Sequence, residues 1–350
     1  MLSYVIVGSG YRAEYFARIA RNYPHMFRAL FLCRSEEKVA LVTAHTGIPA
    51  TTSLQECLDF GADFAVIAVD RPHIADVAEE WLDRGYPVLA ETPIADSEEK
   101  LRRLWQRREE GCRIVCCEQY HRYPILAAGL KALRRGRIGG LSSLYMSALP
   151  NYHAASLIRL GLGIPVGEPV AMTGWRDSYR VTETDSRYGA IYDGRTAAEE
   201  REVIRMSFAS GKTALMDYST AQTRSYIRSR HLTVRGDRGE WSDTQILWLD
   251  ESNTPHRTAL TPEIPEKYRC LDNQMLRDRR RNWTAELAPD TVQDEFAVAL
   301  MLLDMGDEKA EPYPLADALE DAYYWLMFKR AMEHPGGEIH SEKMPWHAGR

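Results

Sequence analysis

The chain reads as an α/β protein in two parts: a domain with a parallel sheet, then an α+β domain built on a large, open, mostly antiparallel sheet. Three observations predict this. Before residue 120, short near-continuous apolar runs alternate with helical patterns, as expected of parallel strands buried on both faces. After residue 120 the strand-like segments lengthen and switch to period-2 alternation, which suits a sheet with one covered face. A chain of 350 residues with 45% hydrophobic residues holds enough apolar surface for two medium domains with full cores. The boundary falls at 1–120 and 121–350.

The elements follow in order. Leu2–Val7 is a buried strand, and Ala13–Asn22 an amphipathic helix with Phe16, Ile19 and Ala20 on one side. Phe27–Cys33 is the second strand, Glu36–Thr46 the second helix, and Phe64–Val69 (FAVIAV) a third clear strand. Ile74–Arg84 is helical and stops at Gly85; Tyr86–Ala90 is a strand, Ser97–Glu110 a charged helix and Arg113–Cys117 another strand. Pro124–Arg135 is a helix ending at Gly136. Alternating strands then run at Ser142–Ser147, Val170–Tyr179, Glu202–Phe208, Thr213–Ser219, Leu232–Arg235 and Gln245–Leu249, with Gly236–Gly239 as a turn. The polar stretch Arg187–Glu200 reads as a loop, and Asp290–Met305 and Leu315–Glu333 as helices. Trp175, Tyr179, Tyr218 and Trp241 alternate along strands, which suits core or subunit interface better than a sugar platform.

Composition removes several function classes. Net charge is −6, so nothing favours nucleic acid or an anionic membrane surface. The basic run Arg277–Arg281 (RDRRR) reads as a solvated helix face. No apolar run approaches spanning length. The N-terminus MLSYVIVGSG enters a strand directly, with no basic region and no cleavage site, so a cytoplasmic protein is expected. Six cysteines are spread irregularly and fit reduced thiols. Cys112 and Cys116 have a zinc-compatible gap but no second pair, and the histidines show no ligand spacing, so no catalytic metal is expected.

The motif with most chemistry is Gly8-Ser9-Gly10-Tyr11-Arg12-Ala13, which follows a strand and opens a helix. It fits G-x-G-x-x-G/A. The first glycine makes the tight turn, the second lets backbone approach a pyrophosphate, and the small last residue permits close helix–strand packing. A dinucleotide is the expected cofactor. The second strand ends at Cys33-Arg34-Ser35 without the carboxylate that accepts from NAD ribose hydroxyls. An arginine there pairs with a 2′-phosphate, which favours NADP over NAD. A solvated surface arginine is the competing reading. Val69 and Asp70, at the exit of the third long strand, are expected beside the cofactor's adenosine or ribose.

Three stretches, VIVGSGYRAEYFARIA (Val5–Ala20), RGYPVLAETPIADSEEKL (Arg84–Leu101) and EQYHRYPILAAGLKALRRGRIGGLSSL (Glu118–Leu144), resemble the Gfo/Idh/MocA family of NAD(P)-dependent oxidoreductases. The resemblance implies a Rossmann domain, then a domain whose open sheet meets a partner subunit in a dimer or tetramer. It also implies a C-terminal helix returning to the first domain and a sugar, inositol or polyol substrate. Two departures stand out. Family members carry Glu-Lys-Pro where this chain has Glu91-Thr92-Pro93. Thr92 makes hydrogen bonds but has no charge, so it orients a substrate without polarising an alkoxide. The family's Asp-x-x-x-His matches here at His153, but Leu149 stands at the aspartate's position. The resemblance further implies a cis peptide before Pro93.

Removing hydride from a carbinol needs a base for the hydroxyl proton, and histidine titrates in the right range. His153 is the first candidate. Tyr120 and His121 follow the last parallel strand, where ligands bind, as donor and proton relay; Tyr152 is a weaker candidate. Thr92 and Glu91 sit at a strand exit, Glu91 reading either as an acceptor for a ribose hydroxyl or as a cap for the next helix. The expected function is NADP- or NAD-dependent hydride transfer on a sugar-like or polyol substrate. Two rivals stay open: glycoside hydrolysis with a retained NAD that is transiently reduced, and a cofactor-binding sensor without catalysis.

Overall fold

In a computed structural model, residues 1–186, 189–261 and 291–348 are described. The first sheet contains β1 (Leu2–Val7), β2 (Phe27–Leu32), β3 (Ala50–Thr51), β4 (Phe64–Ile67), β5 (Val88–Ala90) and β6 (Ile114–Cys116) in the order β3-β2-β1-β4-β5-β6, all parallel. The order reverses beside β1, and that crevice is where open parallel sheets bind ligands. Helices α1 (Tyr11–Asn22), α2 (Glu36–Thr46), α3 (Leu54–Asp59), α4 (Ile74–Leu82) and α5 (Glu98–Glu109) connect the strands. β4, β5 and β6 are buried at every position, as two-sided cover requires. Ser35, Ser53 and Ser97 cap α2, α3 and α5 by accepting from the backbone N–H three residues on.

Beyond α6 (Pro124–Arg134) come β7 (Leu141–Ser147), α7 (Asn151–Leu162), β8 (Val170–Thr182), the small pair β9 (Asp185–Ser186) and β10 (Gly189–Ala190), β11 (Thr196–Phe208), β12 (Thr213–Ser219), β13 (His231–Gly236), β14 (Gly239–Ser242), β15 (Gln245–Leu249) and β16 (Pro255–Ala259). β9 and β10 make a two-stranded sheet of their own; with β17 (Ile339–His340) the other strands form a nine-stranded sheet, β16-β15-β14-β13-β7-β12-β11-β8-β17, antiparallel except between β7 and β12. α7 and α9 (Leu315–Glu333) cover one face; α8 (Thr291–Met305) packs on α1. Gly129 in α6 has a packing reason: the ring of Trp241 occupies the space a Cβ would fill, 2.2 Å away.

α9 also lies against α5 and β6 of the first sheet. A helix gripped from both sides is buried over most of its surface, and its buried acidic residues are partnered. Glu320 accepts from Trp346 Nε1 and bonds His347 Nε2, each at 2.8 Å. Asp321 pairs with Arg159 at 2.7 Å and accepts from the Tyr313 hydroxyl.

Some expectations need correction. Thr196–Glu200 is not loop: β11 starts at Thr196 and pairs with β8 along 13 residues. Its polar composition misled because this end of the ladder is largely solvent-facing, where charged cross-strand pairs replace apolar ones, as Arg201 does with both oxygens of Asp217 at 2.7 and 2.6 Å. The short strand β14 and the edge strand β16, which opens on a proline, went unanticipated. Of the four aromatics, Tyr218 and Trp241 are core; Trp175 and Tyr179 stand on the surface, 41% and 50% exposed. Arg277–Arg281 and Cys270 lie outside the described residues. No described helix is long and apolar enough to cross a membrane.

Candidate active site

The glycine turn sits where β1 ends. Gly8 has φ 121°, and a Cβ there would lie 2.3 Å from the Ala68 carbonyl oxygen, so only glycine lets β1 pass β4 at this point. Gly10 has a different reason. A Cβ there would meet no protein atom and would stand in the open cleft that Gly10 lines. Gly10 is also the N-cap of α1 and supplies no side-chain acceptor, unlike the serines of α2, α3 and α5. The first N–H groups of α1 are thus left for a ligand, together with the positive end of the helix dipole. These features fit a dinucleotide pyrophosphate.

The turn opens into a cleft of about 1420 Å³. Gly8, Ser9, Gly10, Tyr11 and Arg12 line its middle. Arg34 and Lys38 line one end; Val69, Asp70, Glu91, Thr92, Tyr120, Tyr152 and His153 line the other stretches. Arg34 is exposed, Lys38 half-buried, and neither enters an ion pair among the described residues. From the connections of the second half of the chain, Asp185, Ser186, Arg224 and Tyr226 also line the cleft.

The floor is a fixed polar network. Glu91 is buried and accepts from Arg12 Nε at 3.0 Å and, through its other oxygen, from the Thr92 N–H at 3.2 Å. Arg12 also pairs with Asp294 of α8, which accepts in turn from Gln119 Nε2 at 2.6 Å. Glu91 does not cap the following helix; Ser97 does. The Thr92–Pro93 peptide is cis, as the resemblance implies. The Thr92 carbonyl accepts from the Tyr152 hydroxyl at 3.4 Å.

His153 stands on the first turn of α7. Its ring meets Tyr120 and Tyr152 edge to face, at 4.5 and 4.4 Å between centroids. Its Nδ1 lies 2.6 Å from Glu118 Oε2, and the other Glu118 oxygen accepts from the Tyr120 N–H at 3.2 Å. Burial pushes the Tyr120 hydroxyl well above its usual pKa, so it remains a donor. Thr92, Tyr120 and His153 therefore come together.

His121 does not join them. Tyr120–Arg122 is a turn of 3-10 helix, in which neighbouring side chains splay apart. The His121 ring packs on Tyr313, 5.1 Å between centroids, and does not line the cleft. Burial pushes its pKa down to about 3, which unsuits it as a proton relay near neutrality. Sequence reasoning missed Glu118, Gln119 and Asp294. The strand-exit rule that picked out Tyr120 reaches the first two as well. Asp294 carries no local signal, being 282 residues from the arginine it holds.

Fold and cleft together fit a dinucleotide-binding α/β protein. Residues 2–118 match the oxidoreductase family with an NAD-binding Rossmann fold, Gfo/Idh/MocA. No curated protein matches the chain. Among solved structures, it is similar to levoglucosan dehydrogenase in complex with NADH and levoglucosan (15% identity, 98% of this chain and 100% of that one, TM-score 0.69). It is also similar to the WlbA dehydrogenase from Bordetella pertussis with NADH and UDP-GlcNAcA (17%, 98% and 98%, 0.66). A third is biliverdin reductase from Synechocystis sp. PCC 6803 with biliverdin and NADP+ (16%, 95% and 99%, 0.63). At such identities the likeness is one of fold.

Proposed function

We propose that the protein transfers hydride between a nicotinamide cofactor, preferably NADP, and the carbinol carbon of a sugar-like or polyol substrate. The observation that carries this is continuity: one cleft runs from the uncapped glycine turn to the His153–Tyr120–Thr92 group. Residues 1–120 serve as the dinucleotide unit and 121–350 as the substrate and assembly unit. Gly8, Ser9, Gly10, Tyr11 and the N-terminus of α1 hold the pyrophosphate. Arg34, with Lys38 beside it, meets the 2′-phosphate. Val69, Asp70 and Glu91 follow the riboses. The bound nicotinamide supplies the hydride acceptor or donor. Thr92 orients the substrate, Tyr120 donates to its oxygen, and His153 takes or returns the hydroxyl proton.

The outer face of the nine-stranded sheet joins subunits in this reading. It carries Trp175 and Leu215, 41% and 37% exposed, and a shallow hollow of about 490 Å³ lined by Tyr145, Arg205 and Arg235. Light scattering of a 39.9 kDa monomer at micromolar concentration removes the claim.

The decisive experiment is a screen of aldoses, polyols, inositols and glycosides with NADP and NAD, read by absorbance of the reduced nicotinamide. Turnover of one carbinol class establishes the reaction. Glycoside cleavage without absorbance change points instead to hydrolysis on a retained cofactor. One observation, the uncharged Thr92 at the family's lysine position, favours a sensor as the second reading. Tight NADP binding with no turnover of any substrate decides for it.

A further inference from the structure

We propose that Glu118 is the positioning residue of the reaction, taking over for His153 the work of the carboxylate missing four residues before it. This rests on the assignment of His153 as the base. Four residues before His153 stands Leu149, buried and without a polar atom. The carboxylate comes instead from the exit of β6, 35 residues earlier in the chain.

The proposal assigns the tautomer. Glu118 is 2% exposed; one of its oxygens accepts from the Tyr120 N–H at 3.2 Å, and the other lies 2.6 Å from His153 Nδ1. A carboxylate cannot donate, so opposite a carboxylate Nδ1 carries the hydrogen. Nε2, on the opposite side of the ring, is then the lone-pair nitrogen left for the cleft. The rings of Tyr120 and Tyr152 bracket the imidazole and hold its plane. In oxidation, the substrate O–H bond breaks as Nε2 takes the proton. The carbinol C–H bond breaks with its electron pair going to the nicotinamide, and the C=O bond forms. The ring becomes an imidazolium between the substrate and the buried Glu118 side chain, whose negative charge stabilises it.

Glu118→Gln tests this because it preserves shape but offers Nδ1 either an amide N–H or a weaker neutral acceptor. On the substrate found by screening, kcat should fall about 10²–10⁴-fold. NADP(H) affinity should stay within about twofold, and the acid limb of the kcat–pH profile should move to lower pH, since a negative charge beside the imidazolium is lost. Glu118→Asp should recover part of kcat. A Glu118→Gln protein with kcat within about threefold of the parent and an unmoved profile, while His153→Ala is inactive, overturns the proposal for Glu118 alone. An active His153→Ala protein overturns the reading it rests on. Nitrogen-15 shifts of His153 in the unmodified protein give an answer independent of any variant's folding: the Nδ1–H tautomer is expected, and the Nε2–H tautomer overturns the proposal.

Discussion

The two ends of the cleft are built in opposite ways. At the Arg34 end the charged groups are exposed or half-buried and enter no ion pair among the described residues. At the His153 end several polar groups are tied to fixed partners: Glu118 for the imidazole Nδ1, Arg12 for Glu91, the Thr92 carbonyl for Tyr152. The difference matches the roles proposed for the two ends. A binding contact works when a mobile cation meets a phosphate and loses little by waiting in water. A proton transfer works only when the acceptor is held in place beforehand.

The comparison breaks first at His153. His153→Ala should lower turnover by about two to four orders of magnitude, the usual range for a positioned acid–base group, with cofactor affinity nearly unchanged. Steady-state kinetics beside an NADPH titration check both halves, and a variant as fast as the parent removes the contrast between the ends.

One residue beyond Tyr120, His121 supplies a contrast in stability rather than rate. Its folded pKa of about 3 lies below the unfolded value of about 6.5, so only the unfolded chain takes up the proton between them. Its contribution is complete above pH 6.5 and declines as pH falls toward 3, by at most about 1.4 kcal/mol per pH unit. Urea midpoints at pH 7 and pH 5 should differ less in His121→Gln than in the parent. Parallel shifts in the two proteins exclude this source of acid sensitivity.

Arg34→Ala tests the other end. A bidentate arginine–phosphate pair in an exposed site contributes about 1–3 kcal/mol, so the variant should bind NADP and NAD equally while kcat holds. Equal affinities in the parent defeat the assignment at once. The smallest effect is expected at Thr92→Ala, about 1–2 kcal/mol in the barrier, as for one neutral hydrogen bond. A loss as large as that of His153→Ala places proton chemistry on the threonine and redraws the site.

Sequence made the first sheet legible because its strands are local apolar runs and its turn obeys a steric code at Gly8 and Gly10. It made Thr92, Tyr120 and His153 legible because strand exits are countable and the resemblance points at the same positions. Partnerships were not legible. Nothing near His153 announces Glu118, since the expected carboxylate position holds Leu149. His121 looked equivalent to Tyr120 because alternation on a short turn of 3-10 helix leaves no pattern to read. The polar half of β11 hid for a related reason: its buried positions, Glu199 and Glu202, are charged residues paired with Arg228 and Arg176, so no apolar face marks it.

Asp294 belongs by chain position to the far half of the protein, yet it grips Arg12 at the floor of the cleft, and its neighbour Glu295 holds Arg18 of the same helix at 2.5 Å. Phe296–Leu302 are buried beside it. Modularity of sequence and modularity of site therefore differ here. A graft of residues 1–120 onto another protein would carry every glycine of the motif and Glu91, and leave behind Asp294, the second carboxylate that holds its arginine. Any exchange of parts between relatives of this chain must move α8 together with the glycine turn, or rebuild its acid from new sequence.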